Sequence, residues 1–332
     1  MTELILEVRH LVSSFQTEHG AVRAVDGVNF SLSKGKTLGL VGESGSGKSV
    51  TSLSLIDLLP KPSGQVIDGQ ILYRGQDLRR ISTKELHRIR GRKISMIFQE
   101  PMTSLNPVKT IGRQLAEVFQ THFPQMKAGE VKEHCLQLLQ EVGIPSARQR
   151  LQEYPHQLSG GMRQRVMIAI ALACEPDILI ADEPTTALDV TVQAQIIDLM
   201  QKLQEKRGMA IIFITHDLGV IAEVAHEVAV MYGGRIIEHG SVEQIFYSAK
   251  HPYTKGLLSS IPRLSDPPKS NLRTIEGMVP SLQDMPRGCR FQNRCPYQRE
   301  ICATAPPAAH TVVEGHEVSC YRWQDIAAEE KE

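Results

Sequence analysis

A run of eight residues has the glycine, lysine and serine spacing of a loop that binds phosphate. It reads G-E-S-G-S-G-K-S from Gly42 to Ser49 and matches the pattern G-x-x-x-x-G-K-S. In such loops the glycines let the backbone close on phosphate oxygens, the lysine reaches the β- and γ-phosphates, and the last serine holds Mg²⁺. The residues expected to contact the nucleotide are Gly42, Ser44, Gly45, Gly47, Lys48 and Ser49. The pattern therefore predicts a nucleotide site.

The segments on either side of this loop have the properties that the chemistry requires. Residues 37–41 read as a buried strand, and residues 49–59 read as a helix that Pro60 and Pro62 stop. A strand, a glycine loop and a helix start in this order aim backbone N–H groups and a positive helix end at one anion. Residues 4–41 as a whole are expected to form short strands joined by turns.

Polar side chains follow three further apolar segments that also read as buried strands. They are Gln99 after residues 93–98, Asp182 and Glu183 after residues 177–181, and His216 after residues 210–214. In an open α/β sheet the carboxyl ends of the strands meet at one edge, where ligands bind. There Asp182 can support Mg²⁺, and Glu183 can orient or deprotonate an attacking water. We therefore predict a largely parallel sheet with helices between its strands.

A second helix start that could face an anion lies at Ser159. Ser159 is a natural helix cap, and Gly160 and Gly161 leave backbone N–H groups open at the start of a helix over about residues 163–174. The sequence thus predicts two separate phosphate-binding helix starts.

Three other residues have a structural interpretation beside any functional one. Asp189 could cap a helix over residues 190–207. Cys135 falls on the apolar stripe of a helical region, residues 111–150, and is expected in the core. Phe15 is either a core aromatic or a platform for a nucleotide base, and the sequence leaves both interpretations open.

Composition excludes some classes of function. The 332 residues contain 37 Lys+Arg and 37 Asp+Glu, so no global basic field favours nucleic acid as a partner. The sequence has no apolar run near the ~20 residues that span a bilayer. Its N-terminus lacks the charged and then apolar pattern of a signal peptide. We therefore expect a soluble, intracellular protein whose membrane role, if any, comes through a partner.

The order of the motifs resembles the ATP-binding subunit of an ABC transporter, over roughly residues 4–245. The family's motifs fall on Phe15 (A-loop), Gly42 to Ser49 (Walker A), Gln99 (Q-loop), Leu158 to Met162 (signature), Ile178 to Asp182 (Walker B), Glu183 (catalytic glutamate), Asp189 (D-loop) and His216 (switch histidine). The resemblance implies an α/β fold: a P-loop NTPase (RecA-like) core, an N-terminal antiparallel β subdomain, and a helical signature subdomain at about residues 100–165. Residues 1–260 would form this ATP-binding domain.

The resemblance also implies how the subunit works. Two such subunits pair head to tail, so that Ser159 and Gly161 would touch the partner's ATP, with Gly160 and Asp189 also among the nucleotide-binding residues. Binding closes the dimer, hydrolysis reopens it, and the motion reaches membrane subunits through the region near Gln99.

The same resemblance assigns catalytic and metal-binding roles. Glu183 would be the base, and Gln99 and His216 would position water and the γ-phosphate. Mg²⁺ would be held by Ser49, Gln99 and Asp182. Every motif is present in consensus form, which implies an active ATPase.

The C-terminal part narrows the resemblance. The segment from His251 to Leu258 is similar to one typical of oligopeptide and dipeptide transporter ATPases. From Pro262 the chain is rich in proline and reads as an extended connector. Residues 261–332 would form a small Cys-rich extension.

Four of the six cysteines cluster in this extension, at Cys289, Cys295, Cys302 and Cys320. An intracellular chain argues against disulfides, so the clustering favours a metal site over free thiols. Structural zinc usually shows closer pairs than these gaps of five, six and seventeen residues. Iron–sulfur clusters accept less regular spacing. The resemblance implies a [4Fe-4S] cluster, with zinc as the weaker alternative.

The sequence therefore predicts a peripheral ATPase on the cytoplasmic face of the membrane, powering import of oligopeptides or dipeptides. The partners implied are a second ATPase, in this family usually a different chain, two transmembrane permease subunits and an extracellular or periplasmic peptide-binding protein. Importers of nickel or glutathione share much of the pattern. The pattern also fits a soluble ABC ATPase of DNA repair or translation, or a nucleotide sensor that does not hydrolyse. A single ATP-binding unit argues against the soluble ATPase, and intact Glu183 and His216 argue against the sensor.

Overall fold

The chain divides into two units. The computed structural model describes residues 3–18, 20–99, 104–186, 188–262 and 274–329. The first unit comprises the described residues within 1–5, 32–36 and 80–214, and the second unit those within 6–31, 37–79 and 215–332. In the part of the chain described, no helix combines the length and the apolar character needed to cross a bilayer.

Helices and strands alternate through most of the chain. The strands are β1 (Leu4–Thr17), β2 (Gly20–Ser33), β3 (Thr37–Val41), β4 (Gly64–Tyr73), β5 (Gln76–Asp77), β6 (Ile94–Ile97), β7 (Ile178–Asp182), β8 (Ala210–Ile214), β9 (Glu227–Tyr232), β10 (Arg235–Ser241), β11 (His310–Val313) and β12 (His316–Val318). The helices are α1 (Lys48–Leu55), α2 (Thr83–Ile89), α3 (Ile111–His122), α4 (Ala128–Glu141), α5 (Ala147–Arg150), α6 (Gly160–Leu172), α7 (Val190–Arg207), α8 (Leu218–Val224), α9 (Val242–Ser248), α10 (Pro252–Ser259), α11 (Ile301–Thr304) and α12 (Trp323–Glu329).

The first unit contains three parallel strands in the order β6-β7-β8. Ile94 lies opposite Ile178, and Ile178 lies opposite Ala210. Every residue of β7 and β8 is buried. Strands buried on both faces are continuous apolar runs, which is why the sequence predicted these two with little error.

The helices of the first unit bury one stripe each. Cys135 of α4 is 2% exposed, as predicted for a core residue. The helical region predicted over residues 111–150 is divided into α3, α4 and α5. Pro124 follows α3, and Gly143, at φ +73°, follows α4. Both residues break helices, the first because proline cannot continue one and the second because a left-handed glycine ends one.

The second unit contains an antiparallel sheet in the order β2-β1-β4-β5. Leu6 pairs with Tyr73 and Phe15 with Gly64 across β1 and β4. The sequence predicted short strands here, but β1 and β2 have 14 residues each. The register of β1 shifts twice between Arg9 and Ser13. These bulges interrupt the alternation of apolar and polar residues, so the pattern reads as several strands.

A second set of strands in this unit carries the phosphate loop at one side. β3 pairs parallel with β9, β9 antiparallel with β10, β10 with β12, and β12 with β11. The C-terminal residues thus extend a sheet that begins beside the phosphate loop. The buried carboxylate of Glu238 on β10 accepts hydrogen bonds from the backbone N–H groups of Lys250 and His251 and lies 2.9 Å from Nε2 of His316.

The fold class predicted from the sequence, an α/β ATP-binding core with an antiparallel β subdomain and a helical subdomain, is confirmed. A separate Cys-rich extension is not confirmed, because β11 and β12 continue a sheet of the second unit. The predicted connector begins at Pro262, and residues 263–273 lie outside those that the structure describes. The predicted domain boundary at residues 260–261 stays a prediction.

Candidate functional site

The phosphate loop leads from β3 into α1 with a backbone that glycine adopts most easily. φ is +103° at Gly47, and α1 begins at the next residue, Lys48. A β-carbon on Gly47 would lie 2.8 Å from the carbonyl oxygen of Ala24, and one on Gly42 would collide with the carbonyl of Met231. Because side chains are excluded from both positions, the loop keeps its backbone open as a cradle. Such a cradle fits a phosphate group.

Lys48 is buried under this loop. Its side-chain Nζ donates hydrogen bonds to the carbonyl oxygens of Gly42 (2.7 Å) and Glu43 (3.0 Å), and the residue is 6% exposed. Ser44 and Gly45 form the exposed tip of the loop. The ammonium group also lies 3.4 Å from Oγ of Ser46. A phosphate oxygen would be a stronger partner than these neutral oxygens.

The first unit brings Gln99 and Glu183 together. Nε2 of Gln99 donates to Oε2 of Glu183 at 3.1 Å, and Oγ1 of Thr186 donates to the same oxygen at 3.0 Å. Glu183 has φ +47°, and its backbone N–H donates to the carbonyl of Ile214 at 2.8 Å. A glutamate in the left-handed region is uncommon and costs energy. Asp182, the last residue of β7, is 3% exposed.

Thr186 was not among the residues predicted from the sequence. It lies three residues after Glu183, and its hydroxyl reaches back to the carboxylate. A threonine three positions beyond an acid at a strand end could have indicated such a bond, since short hydroxyl side chains bond locally in turns.

Three further predicted residues lie in the second unit. Ser49 lies in the first turn of α1 and is half-buried. His216 is exposed, next to Asp217, whose carboxylate caps α8. Phe15 is half-buried, and its ring lies 2.8 Å from where a β-carbon of Gly64 would be. The core and base-platform interpretations of Phe15 both stay open.

The signature segment and Asp189 both cap helices of the first unit. Oγ of Ser159 accepts an N–H from the first turn of α6 at 3.3 Å, and Oδ1 of Asp189 accepts the N–H of Val192 at 2.9 Å. Ser159 and Gly160 are exposed. A β-carbon on Gly161 would lie 2.8 Å from a methyl group of Val192. Helices α6 and α7 therefore approach each other closely at their starts.

Glu43, a variable position of the loop pattern, is held by residues far along the chain. Its carboxylate accepts hydrogen bonds from the guanidinium of Arg294 at 2.6 and 3.1 Å, and its N–H donates to the hydroxyl of Tyr253 at 2.8 Å. These contacts could not be predicted from the sequence pattern. A carboxylate inside a phosphate-binding loop needs a cation nearby. The presence of Glu43 in the loop could therefore have indicated a basic partner elsewhere in the chain.

The predicted [4Fe-4S] cluster is wrong, and the zinc alternative has no support either. Among the residues that the structure describes, no three His, Cys, Asp or Glu side chains form a group that could hold a metal ion. The four cysteines of the extension do line one small cavity. That cavity is lined as well by apolar and aromatic groups, including Phe291 and Ile326.

The thiols of the extension lie in buried surroundings. Burial raises the pKa of Cys289 to about 12 and that of Cys295 to about 11, and it also raises the pKa of Cys320. Iron and zinc bind thiolates, so a metal bound here would have to displace these protons. Cys302 is 9% exposed, and its carbonyl accepts the N–H of Cys289. Buried cysteine behaves as a small apolar residue, and sequence spacing alone cannot separate that use from metal binding.

Comparison with protein families gives two matches. Residues 25–186 match the family model described as ABC transporter, and residues 237–302 match that described as oligopeptide/dipeptide transporter, C-terminal region. The first match covers the phosphate loop, Gln99, the signature segment and Asp182–Glu183. The second match includes Tyr253 and Arg294.

Known proteins and solved structures are similar to this chain. The dipeptide transport ATP-binding protein DppD of Bacillus subtilis is 53% identical over 327 residues, covering 98% of this chain and 97% of the relative. The oligopeptide transport ATP-binding protein OppD of the same organism is 50% identical over 317 residues, covering 96% and 88%. The solved dimer of the ATP-binding cassette MJ0796 with ADP and Pi is 27% identical, has a TM-score of 0.63, and covers 71% of this chain and 98% of its own.

Proposed function

Because this chain belongs to the ATP-binding proteins of ABC transporters, we propose that it is the ATP-hydrolysing subunit of a membrane transporter that imports dipeptides or oligopeptides. The observation that carries the proposal is the likeness to dipeptide and oligopeptide transport proteins along nearly the whole chain, extension included. Half-identical relatives over the full length share a fold, and the intact phosphate loop adds the chemistry. The matched C-terminal region favours peptides over nickel or glutathione as cargo.

ATP would bind with its phosphates in the open cradle between Gly42 and Ser49. Lys48 would exchange its bonds to loop carbonyls for bonds to the β- and γ-phosphates. Mg²⁺ would be held by Ser49, Asp182 and Gln99, and when bound it neutralises charge on the phosphates. Phe15 is the candidate platform for the adenine ring.

Hydrolysis would be carried out by residues at the strand ends. Glu183 would take the proton of the attacking water, with Gln99 and His216 positioning the water and the γ-phosphate. The bonds from Gln99 and Thr186 to Glu183 support this role, since they hold the carboxylate in one orientation. A positioned base of this kind contributes about 10²- to 10⁴-fold in rate.

A second ATPase subunit would complete each nucleotide site. Ser159, Gly160 and Gly161 would contact the ATP held by the partner, and Asp189 would lie close to it. The exposure of Ser159 and Gly160 at the start of α6 supports this, because the helix start is open to an anion from outside the chain. ATP that binds the closed dimer more tightly than the open one would drive closure.

The other partners would be two permease subunits in the membrane and a peptide-binding protein outside the cell. The subunit would lie on the cytoplasmic face of the membrane. Cargo would not touch it, so cargo identity must be measured in the assembled transporter.

Affinity capture from native membranes tests the proposal. Two integral-membrane subunits and a second ATPase should co-purify, and the complex should show ATPase activity that rises with the peptide-loaded binding protein. Ribosomal or DNA-repair partners without membrane proteins would refute the proposal. Stimulation by nickel or glutathione but not by peptides would refute the peptide cargo and leave the ATPase in place.

A further inference from the structure

Glu43 is bonded through its backbone N–H, its carbonyl and its carboxylate. The N–H donates to Oη of Tyr253, the carbonyl accepts from Nζ of Lys48, and the carboxylate accepts from Arg294. Two of these three partners come from the C-terminal region, and Arg294 lies 251 positions further along the chain. A residue inside the phosphate loop is therefore fixed by a segment outside the nucleotide-binding motifs.

The side chain of Arg294 is buried and makes several contacts. Its side chain is 4% exposed, and its guanidinium also donates to the carbonyls of Glu276 (2.9 Å) and Ile275 (3.2 Å). The guanidinium lies over the ring of Tyr232 at 5.8 Å. Burial by itself would lower the pKa of Arg294, but its bond to Glu43 raises it above the usual value. An arginine held by a carboxylate, two carbonyls and a ring has one orientation.

Tyr253 is equally fixed. It is fully buried, and its ring packs edge-on against Tyr232 at 4.7 Å and Phe291 at 5.3 Å between centroids. Its hydroxyl thus meets the N–H of Glu43 from a rigid aromatic cluster. The charge of Arg294 and the hydroxyl of Tyr253 reach one loop residue from two elements of the C-terminal region.

We propose that Tyr253 and Arg294 are positioning residues for nucleotide binding, through which the C-terminal region sets the charge and shape of the phosphate loop. We call Glu43, Tyr253 and Arg294 together the Glu43 clamp. The carboxylate of Glu43 is a negative charge on a loop that must receive a triphosphate, and unopposed it would repel that ligand. The guanidinium of Arg294 offsets this charge. The bond between the hydroxyl of Tyr253 and the N–H of Glu43 keeps the loop backbone in place.

The clamp has a consequence that depends on the number of phosphates. Without Arg294, the uncompensated carboxylate should weaken binding most for ATP, less for ADP and least for adenosine. At an effective dielectric constant of about 20, one added charge roughly 12 Å from a phosphate charge changes affinity by about tenfold, and a closer one changes it by more. A merely structural loss would weaken all three ligands alike.

The test measures equilibrium dissociation constants of ATP, ADP and adenosine on the full chain and on four variants at low salt. Arg294→Gln should weaken ATP about tenfold and leave adenosine within twofold. Adding Glu43→Gln to it should restore ATP to within about threefold, because both charges are then gone. Arg299→Gln, at an exposed arginine of the same extension, is the matched control and should match the parent chain. Glu43→Gln alone should bind ATP as tightly as the parent or more tightly, since Arg294 stays charged.

Three results would overturn the clamp: unchanged ATP affinity in Arg294→Gln, equal weakening of all three ligands, or a double variant that is weaker still. Should Arg294→Gln fail to fold, Glu43→Gln decides alone, and weaker ATP binding by it would refute the electrostatic role. In the assembled transporter, Arg294→Gln should raise KM for ATP and leave kcat within twofold. The inference rests on the proposed function, but the two fail differently. A parent chain that does not distinguish ATP from adenosine refutes the function, whereas a selective parent with an unaffected Arg294→Gln refutes only the clamp.

Discussion

The side-chain amide of Gln99 donates a hydrogen bond to Oε2 of Glu183, with 3.1 Å between nitrogen and oxygen. Thr186 donates to the same oxygen. Gln99 and Glu183 lie 84 positions apart in the sequence, and they follow the parallel strands β6 and β7. The amide that follows one strand thus orients the carboxylate that follows the neighbouring strand, and this carboxylate is the proposed base of the reaction.

Glu183→Gln should retain ATP binding within about threefold and lower turnover in the assembled complex by at least ~100-fold, because an amide cannot accept the proton of water. ATP binding and steady-state phosphate release measure the two effects. Glu175→Gln is a matched control, since Glu175 is an exposed glutamate that also has a left-handed φ of +50°. A Glu183→Gln variant that hydrolysed ATP at the parent rate would show that the role assigned to Glu183 is wrong.

Gly42→Ala should destabilise the protein by about 2 kcal/mol or more and abolish ATP binding, because the new methyl group would meet the carbonyl of Met231. Gly45→Ala separates this collision from backbone strain. Gly45 also has a positive φ, +79°, but a β-carbon there would have open space within 4 Å. It should cost only about 1 kcal/mol. Chemical denaturation compares the two, and equal losses would contradict the collision.

Ser159→Ala should lower the free energy of unfolding by about 1 kcal/mol, since the hydroxyl caps α6. Ser159→Asn keeps a cap acceptor, so its stability should stay within about 0.5 kcal/mol of the parent. Both variants should lower ATPase activity in the complex if Ser159 contacts the partner's ATP. An Asn variant with full activity would leave Ser159 with the capping role alone.

The stability of the protein should fall as the pH drops from about 6.5 to 4. His251 is 1% exposed, and its Nδ1 accepts the N–H of Tyr253 at 3.0 Å. Burial lowers its pKa to about 4, partly opposed by the charge of Glu238. The unfolded chain takes up the proton below pH ~6.5, whereas the folded chain does not until pH ~4. Between these values the free energy of unfolding therefore falls by roughly 1.4 kcal/mol for each unit that the pH drops.

Denaturant unfolding at pH 7.5, 6 and 5 measures this dependence. His251→Asn keeps an acceptor at the start of α10 but cannot be protonated, so its stability should fall less steeply over the same range. Histidines and carboxylates that do not contact His251 contribute equally to both proteins and cancel in the comparison, whereas Glu238 is coupled to His251. Parallel pH curves would show that His251 carries none of the dependence.

The strand ends that carry Gln99, Asp182 and Glu183 could be predicted from the sequence because each follows a continuous apolar run, and such runs mark buried parallel strands. The phosphate loop could be predicted because its backbone leaves no room for β-carbons at Gly42 and Gly47, so these positions require glycine. The caps at Ser159 and Asp189 are local as well. In each case the physical cause lies within a few residues of its effect.

What could not be predicted depends on contacts between distant segments. The bond from Arg294 to Glu43 joins positions that no local pattern connects, and the pairing of β12 with β10 adds strands after a proline-rich stretch that reads as a connector. The iron–sulfur prediction failed for a related reason. Spacing shows that Cys289 and Cys302 lie near each other in the sequence, but whether side chains converge on a metal ion is a property of the folded chain, and in the described residues no such group forms.

Because β12 pairs with β10, the C-terminal extension forms part of a sheet of the second unit and cannot be removed without exposing a strand of that sheet. A chain shortened to residue 262 would leave the outer N–H and C=O groups of β10 without their partners on β12, and Glu238 would lose His316. An uncovered strand of this kind invites pairing with a second molecule. Shortened chains should therefore associate through β10. An ATPase rate measured on them would then be the rate of an aggregate and not that of the native subunit.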